Sequence, residues 1–199
     1  MNRYSYASKL VNQHFAAGST IIDVGCRDAV MKSYFSSNSY FGIDVDPASC
    51  ADQLVDISCE TPFADEQFDV LLALDVAEHT DDIYAAVLEM LRISKGAVIA
   101  LPNLYSAVMR YRFVMGRPLS NKYRLTKDNS KSGGARHRWL FNLVEAECFM
   151  KALADEKEYN LNISYYYPSE SYLERIIAKL LPNSWSSETI FFVFTKNRE

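Results

Sequence analysis

The chain has 199 residues, a net charge of −4 and 49% hydrophobic residues. This length suits one domain with a substantial core and excludes two full-sized domains. No apolar run approaches the ~20 residues that cross a bilayer, and the N-terminus lacks the continuous apolar stretch of a signal peptide. We therefore expect one domain over residues 1–199, without a transmembrane segment, in the cytoplasm.

The first half of the sequence predicts strands that alternate with helices. Short apolar runs end at turn-forming residues, and the intervening segments have helical spacing of their apolar residues. The predicted elements are a helix over 5–17, a strand over 20–24, a short helix over 29–36, and strands over 40–45 and 53–57. Val30, Tyr34 and Phe35 are expected on one side of the short helix.

The second half continues the alternation and closes with strand, helix and strand. Its predicted elements are a strand over 68–75, a helix over 81–93, a strand over 97–101, a weak helix over 104–115, a helix over 141–156, a strand over 161–167, a helix over 169–181 and a strand over 189–196. Alternating strands and helices predict an α/β fold with a doubly wound sheet.

A basic segment interrupts this pattern. Nine basic residues and one acidic residue lie between Arg110 and Arg138, so this segment carries +8 and the rest of the chain −12. Such a segment either meets an anionic partner or is a solvated loop. We expect residues 104–138 to form a basic loop that covers an acceptor site.

Acidic residues follow the first two predicted strands. Asp23 and Gly25 lie where the first strand turns into a helix, and Asp44 ends the second strand about 20 positions later. In open α/β sheets this arrangement places a nucleotide-like ligand across the strand ends, with the acid on its ribose. The sequence therefore predicts a nucleotide-like cofactor.

Five stretches in the correct order carry a resemblance to a known family. They are IIDVGCRDA, YFGIDVDP, PFADEQFDVLLALDVAEH, EMLRISKGAVIALPN and RHRWLFN. The chain resembles the class I S-adenosylmethionine-dependent methyltransferases, in the branch with an Asp/Glu-x-x-Glu-His turn after strand four. The resemblance implies a Rossmann-like, seven-stranded, mostly parallel sheet with an antiparallel last strand and helices on both faces. It also implies S-adenosylmethionine as cofactor.

The resemblance assigns cofactor contacts residue by residue. The first motif binds near the amino acid end of the cofactor, Asp44 binds the ribose hydroxyls, Asp56 and the backbone of Ile57 lie near the adenine, and the end of strand four flanks the methionine part. The expected cofactor-binding residues are Asp23, Gly25, Cys26, Arg27, Asp44, Val45, Asp56, Ile57, Leu74, Asp75 and Val76. Turn and cap chemistry is the alternative role for the acids.

Arg27 and Ala29 depart from the family's first motif, which commonly has glycine at both positions. Alanine is a small change, but arginine has a large side chain where glycine permits a close approach. Its guanidinium would pair with the cofactor carboxylate or obstruct it. Both outcomes stay open from the sequence.

The turn Asp75-Val-Ala-Glu78-His79 resembles a turn that supplies metal ligands in some relatives and caps a helix in many others. No metal is the leading expectation, and Asp75, Glu78, His79 and His137 are the candidate ligands if one binds. His137 and His79 are the catalytic candidates, because imidazole titrates near neutral pH. A purely loop-ordering role for His137 stays open.

These expectations combine into one function and two alternatives. The leading expectation is methyl transfer to a hydroxyl of a small or sugar-like anionic acceptor, by analogy with relatives in cell-surface polysaccharide or metabolite pathways. The alternatives are a metal-assisted RNA 2'-O-methyltransferase and a non-catalytic module with a degenerate cofactor site. We expect no nucleic-acid partner, because the chain as a whole is acidic. The sequence indicates nothing about the oligomeric state.

Overall fold

Seven strands form a single sheet. The computed structural model describes residues 2–35, 38–117, 137–167 and 180–196. The strands are β1 Thr20–Val24, β2 Ser39–Asp44, β3 Gln53–Leu54, β4 Val70–Leu74, β5 Ala97–Pro102, β6 Tyr159–Tyr166 and β7 Thr189–Lys196. Their order in the sheet is β3-β2-β1-β4-β5-β7-β6. Of these seven strands, β7 alone runs antiparallel to both of its neighbours, β5 and β6. This confirms the predicted Rossmann-like architecture.

Helices follow or precede the strands, and short polar side chains begin several of them. The helices are α1 Arg3–His14, α2 Ile83–Arg92, α3 Ala107–Val114, α4 Leu143–Glu156 and α5 Asn183–Ser186, with 3-10 helices at Val30–Tyr34 and Ala77–His79. Asn2, Asp82 and Asn142 each accept a backbone N–H at a helix N-terminus. These caps satisfy donors that have no partner inside the helix.

The sheet is covered on both faces, as the doubly wound prediction requires. One core cluster packs α2 and α4 against the sheet, and the second packs α1 and the 3-10 helix Val30–Tyr34 against the other face. The central strands β4 and β5 are almost entirely buried, which explains their continuous apolar sequences. The strand order reverses between β1 and β4, so their carboxyl ends frame the usual ligand crevice of such sheets.

Two predicted elements near the first motif differ most from the structure. The helix predicted over 29–36 is a single 3-10 helix, Val30–Tyr34, because Ala29 has a left-handed backbone that prevents an earlier start. Met31 and Phe35 are buried and Tyr34 packs against the same core, whereas Val30 is 42% exposed. The strand predicted over 53–57 is only Gln53–Leu54, an edge strand that pairs with two residues of β2.

Two predictions fall outside the described residues. They are the irregular basic segment for residues 118–136 and most of the helix predicted over 169–181. Along the described part of the chain, no helix is both long enough and apolar enough to cross a bilayer.

Candidate cofactor and acceptor site

The turn after β1 has three residues in the left-handed backbone region. The φ angles are 69° at Gly25, 45° at Arg27 and 49° at Ala29. Non-glycine residues adopt this conformation at a cost of roughly 1 kcal/mol or more, and such residues cluster at functional sites. The turn therefore keeps the backbone shape that glycine normally supplies, although two of its three glycine positions are substituted.

Gly25 is required by close packing between the turns after β1 and β4. A Cβ atom on Gly25 would lie 2.6 Å from Cγ2 of Val76. Such an atom would therefore meet the side chain of Val76 in the turn after β4. Glycine at this position thus brings the two strand ends of the crevice into contact.

Asp44 organises the first turn from the end of β2. Its Oδ2 accepts the backbone N–H of Arg27 at 2.9 Å, and its Oδ1 accepts the N–H of Asp46 at 2.9 Å. A carboxylate has about four acceptor positions, so roughly two remain for the neighbouring hydroxyls of a ribose. In the structure Arg27 contributes its backbone N–H to this turn, while its side chain is exposed.

Asp23 ties β1 to β2 from inside the sheet. Its Oδ2 accepts the hydroxyl of Tyr40 at 2.5 Å, and the residue is buried. Burial raises the pKa of Asp23 to about 7, the Tyr40 hydrogen bond opposes that increase, and the charge of Asp44 adds to it. Asp23 therefore titrates near neutral pH beside the cofactor turn.

Cys26 is a packing residue within the first motif. Its Sγ lies 2.8 Å from where a Cβ of Gly42 would be, so the thiol fills the space that this glycine leaves on β2. Burial, together with the charges of Asp23, Asp44 and Asp52, raises the pKa of Cys26 to about 12. The thiol is consequently protonated at neutral pH and is not a nucleophile.

The predicted adenine end lies beside the edge of the sheet. Oδ1 of Asp56 accepts the backbone N–H of Ser58 at 2.8 Å, which is the turn chemistry considered as an alternative. Val45 is exposed at the end of β2, whereas Ile57 is buried. Ile57 thus belongs to the core, while the side chains of Val45 and Asp56 face solvent near the strand ends.

The turn after β4 is anchored by a residue that sequence reasoning missed. Asp75, which follows Leu74, has a φ of 58° and forms an ion pair with Arg3 of α1. Burial lowers the pKa of Arg3, but the ion pair with Asp75 and contacts with Tyr4 outweigh this effect and raise it overall. No sequence motif marks Arg3, because it lies 72 residues from its partner.

Glu78, His79 and His137 form a compact cluster, and one ligand atom from each lies within 4.8 Å of the others. Nε2 of His137 is 3.8 Å and Nε2 of His79 is 3.9 Å from Oε1 of Glu78, whose side chain is fully buried. The two imidazole rings pack edge to face with centroids 4.7 Å apart. The structure thus brings together both predicted catalytic histidines.

Hydrogen bonds from the two residues after His137 hold the chain in this position. The N–H of Arg138 donates to the carbonyl of Glu78 at 2.9 Å, and the indole N–H of Trp139 donates to the carbonyl of Thr80 at 2.8 Å. Asp75, the fourth candidate ligand, is paired with Arg3 and is not part of the cluster. One carboxylate and two imidazoles suit Mn²⁺, Fe²⁺ or Zn²⁺ better than Mg²⁺, which prefers an all-oxygen shell.

A cleft of about 600 Å³ opens beside this turn, at the carboxyl ends of β4 and β5 and the start of β7. It contains two cationic side chains, a histidine and an aromatic side chain: Arg3, Arg112, His137 and Trp185. Six residues of the predicted acceptor-covering segment 104–138 line it, namely Leu104, Ser106, Val108, Met109, Arg112 and His137. Asp75 and Glu188 also line the cleft, so its charges are mixed, and Arg3 is the partner of Asp75.

Comparisons with known proteins agree with this geometry. A family model described as a methyltransferase domain matches residues 22–100, which span β1 to β5. No curated protein matches the sequence. The fold resembles a SAM-dependent methyltransferase from Archaeoglobus fulgidus, with a TM-score of 0.64, 13% identity and coverage of 98% of this chain and 95% of that one.

Two further solved structures with this fold are small-RNA methyltransferases. The small RNA methyltransferase HEN1 has a TM-score of 0.64 and 15% identity, over 99% of this chain and 25% of that chain. The methyltransferase domain of bacterial CtHen1-CN has a TM-score of 0.60 and 14% identity, over 97% of both chains. At these identities the likeness is one of fold.

The family model and the seven-stranded fold define the class. Residues 22–100 match the methyltransferase-domain family, and the whole described fold resembles that of SAM-dependent methyltransferases. The family implies S-adenosylmethionine as the cofactor, and the left-handed turn, the packed Gly25 and the acceptor positions of Asp44 fit that group.

Proposed function

We propose that this methyltransferase acts on a hydroxyl oxygen of a small or sugar-like anionic acceptor. The observation that carries the proposal is the cleft beside the β4 turn, which is lined by His137 and by the cationic side chain of Arg112. A phosphate or carboxylate group on the acceptor would be held by Arg112, since Arg3 is already paired with Asp75. By analogy with relatives, sugar-like intermediates of cell-surface polysaccharide assembly are suitable candidates.

The residues of the cleft account for the remaining chemistry. The cofactor supplies a methyl group that is already activated on a sulfonium, so positioning the acceptor provides most of the rate enhancement. As the acceptor oxygen takes the methyl group, with S-adenosylhomocysteine as the other product, His137 would accept the hydroxyl proton. Glu78, whose carboxylate lies 3.8 Å from Nε2 of His137, would stabilise the resulting imidazolium.

Calorimetry tests the cofactor part of the proposal. We expect S-adenosylmethionine and S-adenosylhomocysteine to bind, and Asp44→Ala to weaken both by about tenfold or more through loss of the ribose acceptor. Failure of both to bind at millimolar concentration would leave the non-catalytic module as the correct interpretation. Far-UV circular dichroism controls for folding, since Asp44 also holds the turn.

Incubation with radiolabelled cofactor tests the acceptor part. We expect label to transfer to hydroxyl-bearing sugar phosphates or nucleotide sugars, and His137→Gln to slow transfer by about 100-fold with the cofactor affinity retained. Transfer only to neutral or amine acceptors would contradict the proposal.

A second candidate function is metal-assisted 2'-O-methylation of RNA. The convergence of Glu78, His79 and His137 within 4.8 Å favours it. If a divalent cation binds, these three side chains would hold it, and it would orient and acidify an acceptor hydroxyl. We would then expect Mn²⁺ to bind in calorimetry, Glu78→Gln to abolish that binding, and a chelator to stop methylation of a short RNA. Metal-independent transfer to a sugar acceptor would rule this candidate out.

A further inference from the structure

Helix α3 places apolar side chains in solvent beside the acceptor cleft. None of its residues is buried in the structure. Phe113 is 73% and Val114 80% exposed, and Tyr111 and Met115 are also exposed. Four large exposed apolar side chains within residues 111–115 indicate an interaction surface rather than ordinary surface composition.

The same segment is cationic. Arg110, Arg112 and Arg117 lie between residues 104 and 117, which contain no acidic residue, although the chain has a net charge of −4. The guanidinium of Arg110 also stacks on Trp185, 4.5 Å from the centre of that ring, at the edge of the cleft. Arginine and tryptophan beside exposed apolar residues are typical of segments that lie in a membrane interface.

We propose that α3, with Trp185, docks this methyltransferase onto an anionic lipid surface. Phospholipid headgroups would pair with the arginines, while Phe113 and Val114 enter the boundary between headgroups and acyl chains. Nucleic acid fits this surface less well, because bases stack on aromatic rings but gain nothing from exposed aliphatic side chains such as Val114 and Met115.

The docking surface continues into the cleft. Val108, Met109 and Arg112 of α3 line the cleft that also contains His137. A protein bound through α3 would therefore have its acceptor cleft at the membrane surface, where the anionic headgroup of a lipid-borne acceptor is accessible. This extension to the acceptor rests on the proposed function, whereas the docking itself depends only on α3 and Trp185.

Vesicle sedimentation tests the docking without cofactor or acceptor, so its result is independent of the methyl-transfer assays. The probes are vesicles of phosphatidylcholine alone and vesicles in which about a third of the lipid is phosphatidylglycerol. We expect the protein to sediment at least about tenfold more strongly with the anionic vesicles at low salt, and less so at high salt.

Matched variants locate the surface. Phe113→Ser/Val114→Ser lies outside the residues that line the cleft, and we expect it to lose most vesicle binding while it keeps cofactor affinity. Val144→Ser on α4 changes an equally apolar residue that is 63% exposed, and we expect it to bind as the unchanged protein does. Circular dichroism establishes that each variant is folded.

Two outcomes would overturn the inference. One is equal sedimentation of the unchanged protein with both kinds of vesicle, or unimpaired binding of the double variant. The other is tight binding to single-stranded oligouridylate, lost in the double variant, without binding to anionic vesicles, which would make α3 a nucleic-acid surface. Because no methyl transfer is measured, either outcome leaves the proposed reaction to its own tests.

Discussion

The turns after β1 and β4 lie against each other at the cofactor crevice, but they are held in different ways. The β1 turn depends on its own backbone, with left-handed residues at Gly25, Arg27 and Ala29 and hydrogen bonds to neighbouring β2. The β4 turn depends on residues that are distant in the sequence. Arg3 pairs with Asp75, and the N–H of Arg138, next to His137, donates to the carbonyl of Glu78.

This difference shows which half of the site a short sequence motif can encode. A turn built from local backbone conformation and one neighbouring strand leaves a short sequence signature. The β4 turn leaves no such signature. Its supporting residues, Arg3 in α1 and His137, lie far from it in the sequence. Predictions that perturb one turn and spare the other can test the contrast.

Gly25→Ala should have the largest effect, because it breaks the contact between the two turns. The new Cβ would lie 2.6 Å from Val76, at a residue whose φ is 69°. We expect the free energy of unfolding to fall by about 2–4 kcal/mol and cofactor affinity to be lost. Urea denaturation and calorimetry measure both.

Gly18→Ala is the matched control for that substitution. Its φ of 83° is also left-handed, but no atom lies within 4 Å of the added Cβ. It should therefore cost only about 1 kcal/mol of backbone strain, with cofactor affinity unchanged. Equal losses of stability at both glycines would show that the contact with Val76 is unimportant.

Protonation of Asp23, at the end of β1, should make the free energy of unfolding depend on pH. Its pKa rises from 3.8 to about 7 on folding, so the folded state binds its proton more tightly than the unfolded state. Its contribution is therefore fully present below about pH 4 and is lost as pH rises through 7. Between pH 5 and 8 we expect a loss of about 2 kcal/mol relative to Asp23→Asn.

Urea denaturation of the two proteins across this pH range provides the measurement. Asparagine keeps an oxygen that accepts the Tyr40 hydroxyl, so it removes the titration with little change in shape. Parallel stability profiles for the two proteins would mean that Asp23 does not titrate in this range.

Arg3→Ala tests the long-range support of the β4 turn. The side chains of Arg3 and Asp75 are 39% and 15% exposed, so the burial of this ion pair is intermediate. We expect its loss to lower the unfolding free energy by about 1–2 kcal/mol, with Arg3→Lys recovering part of it. Thermal and urea denaturation provide the readout.

Lys95→Ala is the corresponding control, since it removes a more exposed ion pair with Asp69 away from the site. It should cost less stability than Arg3→Ala does, because solvent screens this exposed pair. If the two alanine variants lose the same stability, Arg3 has no special role in holding the turn.

Arg27→Gly should have the smallest effect. Glycine keeps the backbone N–H that Asp44 accepts and relieves the left-handed strain, but it adds flexibility to the unfolded chain. We expect a net gain of about 0.5 kcal/mol and a change in cofactor affinity of less than about threefold. Glu158→Gly, at a φ of 58° far from the site, should give the same gain.

A tenfold weakening of cofactor binding in Arg27→Gly would show instead that the guanidinium binds the cofactor carboxylate. A tenfold strengthening would show that the arginine obstructs the pocket. Either result would decide a question that the motif alone left open.

The parts of this protein that depend on the local pattern of apolar residues could be predicted from the sequence. The alternation of apolar runs predicted β1 and β7 to the residue and β4 and β5 to within two residues at each end, because strands buried on both faces are continuously apolar. The turn at Gly25 and the acid at Asp44 were also predicted, since each lies directly at a strand end.

Tertiary structure alone decided the rest. The 3-10 helix after Ala29 replaced a longer predicted helix, because a left-handed residue fixed where it starts. The pairing of Arg3 with Asp75 and the convergence of His137 on Glu78 join residues that are 72 and 59 positions apart. The short-range periodicity of a sequence contains no information about such contacts, which arise only when the sheet aligns its strand ends on one edge.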